Sequence, residues 1–204
     1  MKNVIPEVLV SMPAAVECLA PDVEGQTSPK VRWLLNALVK HLPRAEAYCE
    51  VGLNQGATLI SALLDSPVVA SYGCDNWSEY PSREVFETNL NKYKARLPEV
   101  TVFSEDCFEM ARRCPFHLPI GVLFYDGDHS AVAHRAAFVE FGPALANQAI
   151  VVVDDWNWPA VRNGSWVGLS ALRPKKLDFC ELPARHNFDV ENFHNGIGLF
   201  YIER

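Results

Sequence analysis

Apolar runs alternate with helical patterns along this chain. The two longest runs, IGVLFYD (120–126) and AIVVVDD (149–155), are almost continuously apolar. Shorter runs of the same kind are AYCEV (47–51), VVASYGCD (68–75) and VTVF (100–103). Strands that are apolar throughout must be covered on both faces, as in a parallel sheet with crossover helices. The alternation therefore predicts a doubly wound α/β fold.

The segments between these runs have the spacing of amphipathic helices. Ser28-Pro29 is a favourable helix start, and the apolar residues of VRWLLNALVKHL (31–42) recur on one face. The last two runs, KLDFCEL (176–182) and IGLFYIE (197–203), have no helix between them and predict an antiparallel strand pair. Further helices are predicted at 57–64, 83–97, 107–113 and 129–145.

Length and charge limit what the chain can be. We divide the 204 residues into an N-terminal arm or lid with one helix (1–45) and an α/β domain (46–204). The formal net charge of −7 argues against nucleic acid or an anionic membrane as partner. No apolar run approaches the length of a membrane span, and proline and glutamate interrupt the N-terminal stretch where a signal peptide would be continuous. We expect a cytoplasmic protein, with homo-oligomerisation left open.

A glycine turn follows the first predicted strand. The segment Glu50-Val51-Gly52-Leu53-Asn54-Gln55-Gly56-Ala57-Thr58 has the order strand end, tight turn and helix N-terminus, where free N–H groups bind polar ligand atoms. The second strand ends at Asp75, where an acid can accept hydrogen bonds from both hydroxyls of a ribose. The spacing lacks the third glycine of the dinucleotide motif G-x-G-x-x-G. The loop alone could be a structural turn, but the loop together with Asp75 favours a nucleoside ligand.

On these residues the chain resembles the class I S-adenosylmethionine (SAM)-dependent methyltransferases. Glu50 to Gly56 is similar to their first motif, Asp75 to their ribose-binding acid, and Ser104-Glu105-Asp106-Cys107 to the segment that contacts adenine. The resemblance implies a Rossmann-like, mostly parallel seven-stranded sheet and a SAM-binding methyltransferase domain at 46–204. Asp106 also suits the N-cap of the helix at 107–113. The implied cofactor-binding residues are Glu50, Gly52, Asn54, Gly56, Thr58, Asp75, Asn76, Asp106 and Asp126.

Carboxylates cluster at the ends of the fourth and fifth predicted strands. The fourth strand leads into Asp126-Gly127-Asp128-His129, and the fifth leads into Asp154-Asp155-Trp156. Because these strand ends share one edge of a parallel sheet, the four carboxylates would repel one another unless a cation or protons intervened. A hard, oxygen-seeking cation such as Mg²⁺ fits this set best. Two separate helix-capping clusters are the alternative.

The stretch from the fourth strand to Trp156 resembles metal-using small-molecule and sugar O-methyltransferases of the same family. The resemblance implies that Asp126, Asp154 and Asp155 are ligands of Mg²⁺ or another divalent cation. It makes Asp128 the general base, with His129 as the competing base because an imidazole titrates near neutral pH. His129 could instead be a first-turn residue of the next helix. The acceptor would be a small-molecule hydroxyl that the cation acidifies and the base deprotonates.

Two further features are close to these motifs in sequence. The segment Leu145 to Ala149 lacks the Gly-Gly pair usual before the fifth strand of the family, and we expect Asn147 to make the turn there. Several aromatic residues follow the second and fifth predicted strands: Trp77, Tyr80, Trp156, Trp158 and Trp166. Each could stack on an acceptor at the mouth of a pocket, or could pack a loop against the core.

Two other functions are compatible with parts of the pattern. Phosphatases of the haloacid dehalogenase class also use Asp-x-Asp and a later Asp-Asp pair on Mg²⁺. They need a lysine between those motifs, however, and this chain has no lysine from position 95 to position 174. A catalytically inactive nucleotide-binding protein is the second alternative, and the intact acid pairs at both strand ends argue against it.

Overall fold

The computed structural model describes residues 1–204 and shows a single mixed sheet of seven strands. The strands are β1 (Ala47–Val51), β2 (Ala70–Cys74), β3 (Glu99–Phe103), β4 (Ile120–Tyr125), β5 (Leu145–Val153), β6 (Lys176–Leu182) and β7 (Ile197–Glu203). Their order across the sheet is β3-β2-β1-β4-β5-β7-β6, and β7 runs antiparallel to both of its neighbours. The predicted doubly wound sheet with an antiparallel C-terminal pair is confirmed.

Seven helices cover the two faces of the sheet. They are α1 (Val4–Ser11), α2 (Pro29–Lys40), α3 (Ala57–Leu63), α4 (Arg83–Tyr93), α5 (Cys107–Arg113), α6 (Ala131–Phe141) and α7 (Pro159–Leu172). Helices α1 to α4 close one apolar layer and α5 to α7 close the other. Because both faces are covered, β1 and β4 are buried along their whole length, as their apolar sequences predicted. None of the helices combines the length and apolar character that a bilayer-spanning segment requires.

Helix α2 begins where its sequence predicts. The Ser28 hydroxyl accepts a hydrogen bond from the backbone N–H of Val31, and Pro29 occupies the first helical position. Leu34 and Leu38 are fully buried in the layer that covers β1 and β4. Helix α2 is therefore part of the core.

The structure corrects two local expectations. Asn147 lies within β5, which begins at Leu145, so the turn expected at Asn147 is wrong. The sequence interpretation also missed α7. Its Gly164 and Gly168 weaken helix propensity, yet a Cβ at these positions would lie 2.3 Å and 2.6 Å from carbonyl oxygens of α6. These glycines allow α7 to pack closely on α6.

Candidate active site

A cavity of about 760 Å³ opens at the carboxyl ends of the parallel strands. Backbone hydrogen bonds continue across these strand ends, from Gly52 N–H to the Cys74 carbonyl and from Asp126 N–H to the Val51 carbonyl. The loops that follow β1 to β5 all contribute to the wall, and residues 25–27 and the β6–β7 loop add the rim. Both predicted clusters, the glycine turn and the acidic strand ends, therefore face one space.

The glycine turn after β1 is shaped by backbone contacts. Gly52 has a φ of 87°, and a Cβ there would lie 1.9 Å from the carbonyl oxygen of Asp126. Gly56 is the N-cap of α3 with a φ of 90°, and a Cβ there would lie 3.0 Å from the side chain of Phe86 and 3.2 Å from that of Ile60. Gly52 lines the cavity and Gly56 does not. The conformations of both positions favour glycine, since residues with a Cβ rarely adopt such positive φ angles.

Asp75 fixes the turn to the end of β2. Its Oδ2 accepts hydrogen bonds from the N–H groups of Leu53 (2.8 Å) and Asn54 (2.9 Å), and its Oδ1 accepts one from Trp77 N–H (2.6 Å). A carboxylate has about four acceptor sites, so Asp75 keeps capacity for a ligand hydroxyl in the cavity that it lines. The neighbouring Asn76 also lines the cavity and accepts from Ser78 N–H.

Glu50 lies behind the turn instead of in the cavity wall. It is fully buried, and its carboxyl group accepts hydrogen bonds from Thr58 Oγ1 (2.6 Å) and the Tyr48 hydroxyl. Burial, opposed in part by these hydrogen bonds, raises the pKa of Glu50 to about 8. Thr58 does line the cavity. Glu50 is therefore connected to the cavity through Thr58 at the start of α3.

Asp106 caps α5, as its sequence position suggested, and it also lines the cavity. Its Oδ1 accepts hydrogen bonds from the N–H groups of Phe108 and Glu109, both at 2.9 Å, which caps α5. Asp106, Cys107 and Phe108 also line the cavity. The α5 N-terminus and the acidic strand ends therefore line the same cavity, and we call the part around Asp126, Asp154 and Asp155 its acidic end.

The acidic end is organised around a histidine. Nε2 of His129 lies 2.6 Å from Asp155 Oδ2 and 3.8 Å from Asp126 Oδ1. The ligand atoms of these three residues all lie within 4.8 Å of one another, a spacing that could hold a metal ion. The side chains of His129, Asp126 and Asp155 are 36%, 27% and 7% exposed, so the histidine is the outermost of the three.

The charges at this end are strongly coupled. Burial, with the nearby charge of Asp155, raises the pKa of Asp126, and burial with both neighbouring carboxylates raises the pKa of Asp154. The carboxylates of Asp126 and Asp155 raise the pKa of His129 to about 10. Burial opposes ionisation of Asp155, but the hydrogen bond from His129 holds the pKa of Asp155 below its usual value. In this structure the histidine supplies the positive charge that the carboxylates require.

The two remaining predicted acids differ from this group. Asp154 lines the cavity but is buried, and its Oδ1 accepts a hydrogen bond from the N–H of Asp155 (2.8 Å). It is not one of the three residues whose ligand atoms converge. Asp128 is exposed, and its Oδ1 accepts from Ser130 N–H at 2.6 Å, which lowers the pKa of Asp128. A carboxylate with a lowered pKa is a weak base.

Asn195 is a site residue whose role the sequence interpretation missed. Its Nδ2 donates a hydrogen bond to Asp155 Oδ1 (2.6 Å), and its Oδ1 accepts one from Phe188 N–H (2.8 Å). Phe188, His194 and Asn195 all belong to the β6–β7 loop and line the cavity. The sequence signal was the Asn-Gly pair before β7, where Gly196 has a φ of 87°.

The aromatic residues divide between the two roles. Tyr80 and Trp158 line the cavity, and the Trp158 ring lies edge-on to His129 with centroids 4.8 Å apart. Trp156 and Trp166 instead pack with Phe179 and Phe200 on the outer strands. The buried Trp77 packs on Phe86 of α4.

The sheet, the glycine turn and the acidic end of the second strand meet at one cavity, as expected for a class I SAM-dependent methyltransferase. The sequence profile of the methyltransferase-domain family matches residues 49–156, more than half of the chain. The chain belongs to this family. A comparison with curated protein sequences finds no match. Neither comparison supports the haloacid dehalogenase alternative.

Solved structures with the same fold include several methyltransferases. The O-methyltransferase TomG of Streptomyces achromogenes, involved in tomaymycin synthesis and solved with SAM, is 17% identical, with a TM-score of 0.64 over 90% of this chain and 83% of TomG. An O-methyltransferase of Bacillus cereus in complex with SAH (S-adenosylhomocysteine) is 12% identical, with a TM-score of 0.61 over 99% and 90% of the two chains. The precorrin 8w decarboxylase of Methanobacterium thermoautotrophicum is 19% identical, with a TM-score of 0.62 over 91% and 96%. At these identities the likeness concerns the fold.

Proposed function

We propose that this enzyme transfers the methyl group of SAM to an oxygen atom of a small-molecule acceptor with the help of a divalent cation. The observation that carries the proposal is the convergence of Asp126, His129 and Asp155 in a cavity that the glycine turn, Asp75 and Asp106 also line. Methyl transfer requires chiefly that the acceptor oxygen be aligned with the methyl carbon. A cavity with a nucleoside end and an acidic end suits that task.

The nucleoside end would hold SAM, which supplies a methyl group on a positively charged sulfonium. Asp75 would accept a hydrogen bond from a ribose hydroxyl with its remaining acceptor capacity. The backbone around Gly52 would lie against the cofactor, and Asp106 would face the adenine amino group. Asn54, Thr58 and Asn76 line the same wall, whereas Glu50 and Gly56 would support it from behind.

The acidic end would hold the cation and the acceptor hydroxyl. Asp126 and Asp155 offer carboxylate oxygens to a cation. Asp154 lies next to them, and a bound cation would favour ionisation of this buried carboxyl group, whose pKa is raised in the free site. A bound cation lowers the pKa of an acceptor hydroxyl. The cation would also neutralise Asp126 and Asp155, whose charges raise the pKa of His129 in the free site, so that His129 would release its own proton to solvent. The neutral imidazole, the most exposed member of the group, would then take the acceptor proton. Asp128 is the competing base, and its hydrogen bond with Ser130 N–H argues against it.

The charge of the cavity wall favours particular acceptors. Eight Asp and Glu residues line the cavity, and no Lys or Arg does. A carboxylate or phosphate on the acceptor would be repelled by this wall, whereas a neutral polyol, a phenol or a cationic amino alcohol would not. We therefore propose an uncharged or cationic hydroxyl compound as the methyl acceptor.

The N-terminal region would complete the enclosure. Residues 25–27 line the cavity, and the Ser28 hydroxyl and the Lys30 ammonium group both donate to Asn192 of the β6–β7 loop, the latter at 2.9 Å. Two segments of the rim are thereby joined. We propose that the arm preceding α2 acts as a cover over the bound cofactor, with residues 46–204 as the methyltransferase domain.

The proposal is tested by calorimetry and turnover measurements on the intact chain. SAM and SAH are titrated with and without Mg²⁺ or Mn²⁺, and panels of neutral, cationic and anionic hydroxyl compounds are then screened for methylation. We expect cofactor binding, methylation within the first two panels, and a loss of turnover on chelation with EDTA that added metal restores. Full turnover after exhaustive chelation would remove the cation from the proposal. Cofactor binding without any methylated product would favour an inactive nucleotide-binding protein.

A further inference from the structure

Two aromatic residues of the cavity wall lie next to the acidic end. Trp158 is the N-cap of α7, and Phe188 belongs to the loop between β6 and β7. Both residues line the cavity, and neither is fully buried. Two separate elements therefore contribute an apolar surface to the part of the cavity where the acceptor hydroxyl is proposed to bind.

Trp158 is held close to the proposed base. Its backbone N–H donates a hydrogen bond to the carbonyl of Asp155 (2.9 Å). Its ring lies edge-on to that of His129, with centroids 4.8 Å apart and planes inclined by 73°. An acceptor whose hydroxyl reaches His129 would therefore have its neighbouring atoms within reach of the indole.

Phe188 is connected to the acidic end through one side chain. Its backbone N–H donates to Oδ1 of Asn195 (2.8 Å), and Nδ2 of the same amide donates to Asp155 (2.6 Å). The Phe188 ring lies edge-on to that of His194, another residue of the cavity wall, with centroids 5.5 Å apart. The loop thus holds the phenyl ring at a fixed place near Asp155.

The backbone of Phe188 is strained. Its φ is 61°, a conformation that is uncommon for a residue with a bulky side chain. Phe188 is also 60% exposed. An exposed apolar side chain is ordinary by itself, but strained backbone conformations cluster at sites that contact ligands. Strain that presents an apolar ring to a cavity is therefore evidence for a ligand contact.

The polar groups beside the two rings are already paired. Asn195 uses both atoms of its amide, and Asp155 directs one oxygen to Asn195 and the other to His129. Further hydroxyl groups next to the reacting one would lose water against the rings, which offer no hydrogen-bond acceptor in exchange. An aromatic ring at the same place would gain contact area. A phenol also ionises more readily than an alcohol, with a pKa of about 10.

We propose that the methyl acceptor is a phenol whose aromatic ring packs against Trp158 and Phe188 while its hydroxyl lies at Asp155 and His129. Trp158 and Phe188 are then acceptor-binding residues, and cofactor affinity does not depend on them. The inference rests on the proposed function, and it selects one of the acceptor types that the charge of the cavity wall allows.

The chemistry of the acceptor is tested with matched compounds. Phenols of different size and their ring-saturated counterparts, such as catechol and cis-cyclohexane-1,2-diol, are screened for methylation with SAM and Mg²⁺. Calorimetry then measures binding of the best phenol and its counterpart to the protein with SAH and Mg²⁺. We expect methylation of phenols and at least about 10-fold tighter binding of the phenol. Preferred methylation of saturated alcohols or polyols overturns the inference and leaves the methyltransferase function intact. No methylated product from any compound overturns both.

Replacement of the rings tests the two residues. Trp158→Leu and Phe188→Leu should each raise the KM and the dissociation constant of the best phenol about 5- to 30-fold, with SAH affinity unchanged. Phe188→Tyr keeps the ring and should behave as the wild type. Phe179→Leu is the matched control, because Phe179 is a partly exposed ring on β6 outside the cavity. Wild-type phenol binding in both leucine variants, in a protein that methylates phenols, overturns the role of the rings.

Discussion

Asn195 donates a 2.6 Å hydrogen bond to Asp155 and thereby joins the β6–β7 loop to the acidic end of the cavity. Asp155 is also the carboxylate closest to His129. The bond leaves Asp155 with one oxygen directed to Asn195 and the other to His129. The orientation of a proposed metal ligand therefore depends on a residue forty positions further along the chain.

Asn195→Ala should reduce kcat about 10- to 100-fold and raise the metal concentration needed for half-maximal turnover, because partners that orient a ligand usually contribute this much. Cofactor affinity should stay unchanged. Turnover is measured over a metal titration, with SAH affinity measured in parallel. Asn187→Ala in the same loop, where the side chain is exposed, is the control. Wild-type metal dependence in Asn195→Ala would show that the contact is dispensable.

His129→Gln should lower kcat by about 10²- to 10⁴-fold if the imidazole removes the acceptor proton. The comparison variant is Asp128→Asn, in which asparagine has the same shape as the aspartate that it replaces. It should retain most of the turnover, because the Asp128 carboxylate already accepts a hydrogen bond from Ser130 N–H. Single-turnover rates with SAM separate this loss from changes in cofactor binding. The reverse ranking of the two variants would assign the base to Asp128.

Asp75→Ala should weaken SAM binding by at least about 100-fold, because the variant loses the proposed hydrogen bond from a ribose hydroxyl to a charged acceptor and also releases the turn at Leu53 and Asn54. Asp75→Asn keeps one acceptor oxygen and should fall between Asp75→Ala and the wild type. Affinity is measured by calorimetry, and circular dichroism checks the fold. Wild-type affinity in a folded Asp75→Ala variant would end the ribose assignment.

The buried Glu50 should make stability depend on pH. Its folded pKa of about 8 lies above the ordinary value of 4.5, so folding favours the protonated form. The resulting stabilisation is fully present below about pH 4.5 and is lost as the pH rises to about 8, at no more than about 1.4 kcal/mol per pH unit. Urea denaturation between pH 5 and pH 8 should show a steeper decline for the wild type than for Glu50→Gln. Equal slopes would mean that Glu50 is ionised in the folded protein.

The sheet and the meeting of its acidic strand ends could be predicted because apolar runs and strand ends are properties of the sequence. Parallel strands bring their carboxyl ends to one edge, which places Asp75, Asp126 and Asp155 on a common cavity. The direction of each side chain could not be predicted. Asp155 has a φ of 55°, and across this turn the carboxylates of Asp154 and Asp155 have different partners.

Contacts between residues distant in sequence could not be predicted either. Glu50 looked like a ligand contact because of its place before the turn, and only the packing of Tyr48 and Thr58 around it shows why it is buried. Asn195 is distant from Asp155 in sequence, and no local pattern links the two residues. Single-sequence reasoning finds groups that share a strand end and misses those that meet through a loop from elsewhere.

The contact between Gly52 and the backbone of Asp126 has a consequence for how this protein can change. Any side chain at position 52 would push apart the glycine turn, which we propose to hold the methyl donor, and the strand end, which we propose to carry the proton-transfer residues. A substitution there cannot alter recognition of one substrate alone. Variation in acceptor preference must therefore come from the rim of the cavity, where residues can be exchanged without separating the two reactants.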